Sequence, residues 1–286
     1  MTASLRPPSM PLPAALDARV EAVWHAADAA ALQAMREAGF VLHNVPLSAT
    51  EGTIAGVPFI GESPRTVAIH ESLRRFAGAD LGGRSALDLG CLEGGHSFEL
   101  RRAGLDVLGV EGRTGNFERC LRLRDYYRAL GGIEFVLADV RAFEPHRRFD
   151  VVVCSGLLYH LDDPMRFIGR LGELIAPGGM LYLDTHVAPE ESFFADCEMR
   201  GALSAMKVRD CDGLAVRYRE FDEDVRTPEA SIGNAVSLWL DTDSHLELLQ
   251  RAGFGRVFEL NGYFGPGEQA LKRRYARRHF VALKQA

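Results

Sequence analysis

The chain has 286 residues, of which 47% are hydrophobic and 25% charged, and it carries a formal net charge of −6. This length and composition suffice to bury the core of one large α/β domain with additions. The acidity excludes the global basic field of a nonspecific nucleic-acid binder. A local patch still leaves RNA contact open, although we interpret the basic residues 272–278 as the solvated start of a strand.

The five cysteines are odd in number and show no Cys-x-x-Cys spacing. This pattern fits neither a disulfide framework nor a zinc site, so we expect a reducing cytoplasm. No metal ligands are assigned: Asp162, Asp163 and Asp184 are conceivable ones, but residues 162–164 are more simply a loop that leads into a helix. Apolar stretches also stay well short of the length of a membrane span, and we therefore expect no membrane partner.

The N-terminal part of the chain precedes the first clear strand signal. Residues 1–13 contain four prolines and are predicted to be a disordered lead. Residues 14–84 begin with an Ala-rich helical stretch, 14–39, followed by a Gly-rich segment that ends at Gly61. We expect residues 14–84 to form a helical cover over the mouth of a ligand site.

A glycine-rich turn follows at residues 85–95, Ser-Ala-Leu-Asp-Leu-Gly-Cys-Leu-Glu-Gly-Gly. An apolar strand that ends in such a turn lets backbone N–H groups approach a ligand at a helix N-terminus. About twenty residues later, the strand 106–111 ends at Glu111, where nucleotide-binding folds place an acid on ribose hydroxyls. Leu92 occupies the middle glycine position of the dinucleotide fingerprint, which disfavours NAD and FAD.

The run 87–95 resembles the first motif of class I S-adenosylmethionine-dependent methyltransferases, whose usual form has glycine where this chain has Leu92. Further landmarks follow in the order of that family. They are the strands 133–140 and 149–155, the segment 156–164, the turn 176–179 with the strand 180–186, and the strands 256–260 and 275–283. The resemblance covers about residues 65–285.

The resemblance implies an α/β fold with a doubly wound, mostly parallel seven-stranded sheet whose last strand is antiparallel. The methyltransferase domain would span residues 85–286, with the N-terminal helical cover before it. An insert after the fifth strand, 187–240, is too long for a simple crossover. We expect it to form either a substrate cap or a solvated connection.

The resemblance also assigns the S-adenosylmethionine site. Asp88 would fix the glycine turn, Glu111 would accept hydrogen bonds from the ribose hydroxyls, and Asp139 would bind the adenine amino group. The other residues expected to contact the cofactor do so through their backbone or line the position of methyl transfer. They are Gly90, Cys91, Gly94, Val140, Ser155 and Gly156.

Two histidines are candidate general bases, since imidazole titrates near neutrality and both follow predicted strands. His160 comes after the fourth strand and His186 closes the fifth; a structural histidine bonded to backbone is the alternative for His160. His96, just after the glycine turn, is expected at a surface helix position, with helix capping or contact with the cofactor tail as the alternative. Substrate contacts are expected from Tyr159, Tyr218, Asn234 and Trp239.

The predicted function is methylation of an oxygen or nitrogen of a small molecule, such as a specialised metabolite or a sugar. The segment 156–164 is also similar to the tRNA wobble-uridine carboxymethyltransferase group, which uses a carboxylated form of the cofactor. RNA modification is therefore one alternative. A cofactor-binding module that regulates a partner without catalysis is another.

Overall fold

The computed structural model describes residues 14–78, 80–203, 207–208, 214–219, 229–261, 274 and 276–286. The predicted lead, 1–13, lies outside these residues. The strands are β1 Ser85–Leu89, β2 Asp106–Glu111, β3 Ile133–Leu137, β4 Phe149–Ser155, β5 Ile175–His186, β6 Lys207–Val208, β7 Leu214–Arg219, β8 Val236–Leu240, β9 Phe254–Glu259 and β10 Arg277–Lys284. The α-helices are α1 Ala14–Ala26, α2 Ala29–Glu37, α3 Pro64–Ser72, α4 Gly95–Arg102, α5 Thr114–Tyr126, α6 Pro164–Leu174 and α7 Thr242–Arg251.

Seven strands form one sheet in the order β3-β2-β1-β4-β5-β10-β9. Strand β10 runs antiparallel to both of its neighbours, while the pairs from β3 to β5 are parallel. This confirms the predicted sheet and its antiparallel last strand. Because parallel strands share a direction, their carboxyl ends meet at one edge, where open α/β sheets bind ligands.

The central strands are buried on both faces, which explains their continuous apolar runs. Leu87 and Leu89 of β1 join a core cluster with residues of α6 and α7. Ala86 points to the opposite face and joins residues of α3 and α4. Successive side chains of β1 thus point to opposite faces of the sheet, and helices cover both faces, as a doubly wound fold requires.

The fifth strand differs from its prediction. Register runs from Phe149↔Ile175 directly to Val151↔Met180, so residues 176–179 bulge out of the pairing with β4. The predicted turn thus lies inside β5 rather than before it, and Gly178 supplies a φ of 75° there. Glycine adopts this left-handed conformation without steric cost.

The N-terminal cover is made of two helices rather than the single stretch 14–39. Asp28 interrupts it because its side chain accepts a hydrogen bond from the Ala31 N–H at 2.8 Å and caps α2. Val20 and Met35 of the cover pack with Phe98 of α4 and Leu123 of α5 in a separate apolar cluster. The cover is therefore docked on the sheet's helical layer.

The insert after β5 contains a second, three-stranded sheet in the order β6-β7-β8. Strand β8 returns the chain to the core, and Leu240 packs there with Leu249 of α7. Within the described part of the chain, no helix is both long and apolar enough to cross a membrane.

Candidate active site

A cavity of about 520 Å³ opens at the carboxyl edge of the central sheet. The glycine turn after β1, the ends of β2 and β4, the cover and the insert all contribute to its walls. Predicted residues that line it are Gly90, Glu111, Asp139, Val140, Ser155, Gly156, Tyr159, His160 and Asn234. The cavity volume lies within the usual range for small-molecule sites.

Other predicted residues lie behind the cavity wall. Asp88, Cys91, Gly94, His186 and Trp239 are absent from its lining. Tyr218 is a residue of β7, and its side chain lies outside what the structure describes.

The glycine turn adopts the backbone conformation that its motif requires, even at Leu92. Gly90 has a φ of 65° and Leu92 a φ of 55°. The Leu92 N–H donates to Oε2 of Glu111 at 2.9 Å, which ties the turn to the end of β2. Leu92 therefore takes the left-handed shape of the usual glycine, at a steric cost that glycine would not have.

Glu111 is the central carboxylate of the site. It is only 5% exposed, yet it lines the cavity. Its Oε1 accepts from the Arg113 N–H at 2.8 Å. Burial raises its pKa, while the N–H donors of Arg113 and Leu92 act in the opposite direction. A carboxylate held in this way is suited to accept hydrogen bonds from vicinal hydroxyls.

Three of the predicted cofactor residues act on the turn from behind. Asp88 accepts a hydrogen bond from the Ser97 hydroxyl at 2.6 Å, and burial raises its pKa to about 6. Cys91 places its Sγ 3.8 Å from Sγ of Cys120. At Gly94, a Cβ would lie 2.9 Å from the ring of Phe135. These contacts lie beside the turn and do not reach the cavity.

Asp139 is held by a neighbouring arginine. Arg141 Nη2 lies 2.6 Å from Oδ2 of Asp139, and these hydrogen bonds lower the carboxyl pKa. Arg141 also donates to the carbonyl of Ile232 at 2.8 Å, while Arg113 donates to those of Ala230 and Ser231. Residues 229–234, which we call the strap, are thereby anchored along this end of the cavity.

The other end of the cavity is formed after β4. Ser155 ends the strand and Gly156 follows it, and Tyr159 and His160 lie in a short 3-10 helix, Leu158–His160. Asn234 holds this turn because its Nδ2 donates to the His160 carbonyl at 3.0 Å. His160 therefore lines the cavity from a short helix whose last carbonyl is bound by Asn234 of the insert.

Trp239 and His186, which were predicted to act on the substrate, lie behind residues that line the cavity. Trp239 is 1% exposed and donates through Nε1 to the Tyr159 carbonyl at 3.0 Å. Its ring stacks on His186, with centroids 4.7 Å apart. His186 Nε2 lies 3.4 Å from Nη1 of Arg277. His186 therefore lies behind the cavity wall, away from the space that would hold an acceptor.

Several residues that line the cavity are not among the predicted site residues. His96 was expected at the surface but is 6% exposed, because residues 40–65 of the cover close over it. His43 and Arg65 come from that cover, and Arg277 and His279 come from β10. The period of two in the predicted last strand could have placed Arg277 and His279 on one face.

Histidines under the cover are held neutral. His43 accepts the Gly95 N–H through Nδ1 at 3.0 Å, and burial together with Arg65 lowers its pKa to about 3. Burial, His43 and Arg65 also lower the pKa of His96 well below its usual value. Among the described residues, no group of three or more His, Cys, Asp or Glu side chains is placed to hold a metal ion.

The fold and the site define an α/β protein that binds a nucleotide-like cofactor at the carboxyl edge of its sheet. A family model described as "Methyltransferase domain" matches residues 62–263. The chain therefore belongs to the methyltransferase domain family. This confirms the predicted resemblance and, at the level of the family, S-adenosylmethionine as methyl donor.

Two groups of relatives match the central part of the chain. A tRNA U34 carboxymethyltransferase from Alteromonas mediterranea is 33% identical over 112 residues, which are 37% of this chain and 34% of that protein. A ubiquinone biosynthesis O-methyltransferase from Ralstonia nicotianae is 31% identical over 111 residues, 37% of this chain and 45% of that protein. The chain thus spans less than half the length of these relatives.

Solved structures share the fold over most of the chain. The N-terminal domain of EvdMO1 with SAH bound has a TM-score of 0.63 at 23% identity and covers 92% of this chain and 98% of that one. Magnesium protoporphyrin IX methyltransferase from Synechocystis PCC 6803 has a TM-score of 0.52 at 17% identity, with 81% and 90% covered. At these identities the likeness shows the fold alone.

The residues present fit the cofactor of this family. The buried carboxylate of Glu111 faces the cavity beside the glycine turn. At Gly90, a Cβ would lie 3.1 Å from the Leu157 side chain, so the absence of a side chain keeps this part of the cavity open. Glu111 and the turn would hold the ribose and the methionyl part, and Asp139 with Val140 would flank the adenine. Arg141 already donates hydrogen bonds to both oxygens of Asp139, so any amino group would share that carboxylate with it.

Proposed function

We propose that this protein transfers the methyl group of S-adenosylmethionine to an oxygen or nitrogen of a small molecule. One observation carries the proposal. Glu111 and the glycine turn share a single cavity with the polar residues that follow β4. Donor and acceptor would therefore lie in one cavity, as in-line transfer requires.

The chemistry asked of the chain is mainly positioning. The bound cofactor supplies a methyl group that its sulfonium has already activated. The protein must hold the acceptor atom in line with that methyl, and effective molarity provides most of the acceleration. Tyr159 and His160 line the cavity beside Gly156 and are the side chains that we expect to orient the acceptor.

A hydroxyl acceptor must also lose a proton. His160 is the better placed of the two predicted bases, because it lines the cavity whereas His186 lies behind Tyr159 and Arg277. With a hydroxyl acceptor, His160→Ala should lower kcat by roughly 10²-fold or more. If neither His160→Ala nor His186→Ala lowers turnover at saturating acceptor, a neutral amine becomes the better acceptor.

A second candidate is alkylation of a tRNA wobble uridine. It is favoured by the 33% identity to the tRNA U34 carboxymethyltransferase, which is confined to 37% of this chain. The net charge of −6 opposes it, since RNA binding gains most of its affinity from phosphate contacts.

We also place the protein in the cytoplasm. The four cysteines in the described part of the chain are free thiols, which suits a reducing compartment.

Release of S-adenosylhomocysteine distinguishes these functions. Purified protein should form it from S-adenosylmethionine with a panel of small hydroxyl and amine compounds, and not with unmodified tRNA. Turnover with tRNA alone, with either S-adenosylmethionine or its carboxylated form as the donor, would favour the second candidate. Tight cofactor binding without turnover on either panel would favour a non-catalytic binding module.

A further inference from the structure

A cluster of cationic and hydrogen-bonding groups lies at the end of the cavity formed by β4, β5 and β10. Its centre is Asp184 of β5, which is fully buried. Arg277 of β10 binds both carboxylate oxygens, with Nε 2.6 Å from Oδ1 and Nη2 2.8 Å from Oδ2. Arg65 of α3 adds its Nε at 2.8 Å from Oδ2. Two guanidinium groups therefore share one carboxylate.

The charges in this cluster do not cancel. Burial would raise the pKa of Asp184, but Arg277 and Arg65 outweigh it and hold that pKa well below its usual value. Asp184 is thus one negative charge against two arginines that stay protonated. His43 and His96 are held neutral beside them. The two arginines thus leave one positive charge in excess over Asp184, and Nε2 of His279 lies 3.5 Å from Oδ1 of Asp184 beside them.

The described carboxylates that line the cavity belong to its other end. They are Glu111 and Asp139, which follow β2 and β3, and Glu229 in the strap. Arg113 and Arg141 lie at that same end and hold the strap. In the sheet order β3-β2-β1-β4-β5-β10, three strands lie between β2 and β10 and four between β3 and β10, which separates Glu111 and Asp139 from Arg277.

The donors of the cluster converge on one point beside the predicted position of methyl transfer. At Gly156, which has a φ of 74°, a Cβ would lie 3.6 Å from Nη2 of Arg277 and 3.7 Å from Nη1 of Arg65. The Tyr159 hydroxyl is 3.8 Å from the same point, and Arg277 lies over the Tyr159 ring at 5.5 Å. Two guanidinium groups and one phenol hydroxyl, each from a different element, thus surround the space that the missing side chain of Gly156 leaves open.

We propose that the acceptor carries a carboxylate that Arg65, Arg277 and Tyr159 bind beside Gly156. This rests on the proposed function, and it narrows the acceptor to small organic acids. Guanidinium groups match the planar carboxylate and form strong charge-assisted hydrogen bonds with it. A phosphate monoester carries nearly two negative charges near neutral pH, more than the single excess charge of this cluster balances.

Arg65 is the part of the cluster most open to a ligand. Its side chain is 37% exposed, whereas Arg277 is 18% exposed and engaged with both oxygens of Asp184. Removing Arg65 still leaves Asp184 paired with Arg277, so Arg65→Gln should fold. Tyr159→Phe is a second variant, because it keeps the ring that contacts Trp239 and His186 and removes only the hydroxyl.

The test measures binding and needs no turnover. Protein saturated with S-adenosylhomocysteine is titrated calorimetrically with benzoate, with its neutral analogue benzamide and with phenyl phosphate. We expect benzoate to bind at least tenfold more tightly than the other two. Arg65→Gln should abolish that preference, Arg65→Lys should retain part of it, and Tyr159→Phe should weaken benzoate severalfold. Arg75→Gln, an exposed arginine in the turn after α3, should match wild type.

Three outcomes would overturn the proposal. They are equal or absent binding of benzoate and benzamide, tighter binding of phenyl phosphate, or an unchanged preference in both Arg65→Gln and Tyr159→Phe. Preferential binding of a carboxylated form of the cofactor, with no preference for benzoate, would place the anion on the donor and overturn it as well. The proposed function fails separately, by loss of S-adenosylhomocysteine binding in the first titration.

Discussion

Single residues in the glycine turn explain how it tolerates an unusual sequence. Leu92 adopts a φ of 55°, and its N–H is paired with Glu111. The hydrogen bond offsets part of the strain that a side chain causes in the left-handed region. The same carboxylate is aimed at the cavity, so one residue both fixes the turn and presents an acceptor to the cofactor.

Glu111→Ala should weaken binding of S-adenosylmethionine by about 1–3 kcal/mol, since a charged hydrogen-bond acceptor for the ribose is lost. This corresponds to an increase in Kd of roughly five- to 150-fold. Calorimetric titration measures it, and circular dichroism establishes that the variant is folded. Glu134→Gln, on the exposed side of β3, is the control and should bind like wild type. Unchanged affinity in Glu111→Ala would remove Glu111 from the cofactor site.

Substitutions of Leu92 should separate backbone strain from side-chain packing. Leu92→Gly should change the free energy of unfolding by less than about 1 kcal/mol, because the relief of strain opposes the entropy of glycine. Leu92→Val should destabilise by about 1–2 kcal/mol, because a β-branched residue fits poorly at positive φ. Urea unfolding measures both. A valine variant as stable as wild type would contradict the left-handed conformation at this position.

At the scale of elements, the cover is joined to the glycine turn by one buried acid. Glu93 is fully buried and accepts the backbone N–H groups of Val41, Leu42 and His43 at 2.8–3.0 Å. The Gly95 N–H completes the joint through His43. The cover that carries His43 and Arg65 is thus positioned by the turn that would hold the cofactor.

Glu93→Ala should release this joint. Three buried N–H groups would lose a charged acceptor, and we expect a loss of about 3 kcal/mol or more in the free energy of unfolding. Hydrogen exchange should show faster exchange at residues 41–43 than in wild type. Glu118→Ala, on the exposed side of α5, serves as control. Full protection of residues 41–43 in Glu93→Ala would contradict the joint.

Strands of the seven-stranded sheet could be predicted from the sequence because most are short apolar runs that end at a recognisable turn, whereas the small sheet in the insert was not predicted. Residues 106–111 and 149–155 were predicted with the bounds that the structure has. The residues of the site were harder to predict from the sequence. Burial of His96 depends on the cover, some thirty or more residues away along the chain, and no local pattern encodes that docking. Trp239 was expected to contact substrate, but its ring is buried by His186 and Tyr159.

At the scale of the whole molecule, several buried histidines link stability to pH. His245 of α7 is 1% exposed, and burial lowers its pKa to about 4. The pKa of His43 is lowered to about 3. Between these values and 6.5, the unfolded chain binds more protons than the native one, so stability falls as the pH falls. Asp88, with a pKa raised to about 6, acts in the opposite direction and offsets part of this loss.

The contribution of His245 can be isolated. Lowering the pH from 7.5 to 5 should cost wild type about 2 kcal/mol of unfolding free energy through His245 alone. His245→Gln should lose about that much less over the same interval. Urea unfolding at the two pH values measures this, with the exposed His25→Gln as the control that keeps the wild-type dependence. Identical pH dependence in His245→Gln and wild type would show that His245 does not titrate as its burial requires.

The cover, the central sheet and the strap all meet around one cavity, and the central claim is that this cavity binds S-adenosylmethionine. Parallel calorimetric titration of the purified protein with S-adenosylmethionine, S-adenosylhomocysteine and NAD tests it most directly. We predict micromolar binding of both sulfur compounds and none of NAD. Failure of both sulfur compounds to bind, in protein shown to be folded, would contradict the account.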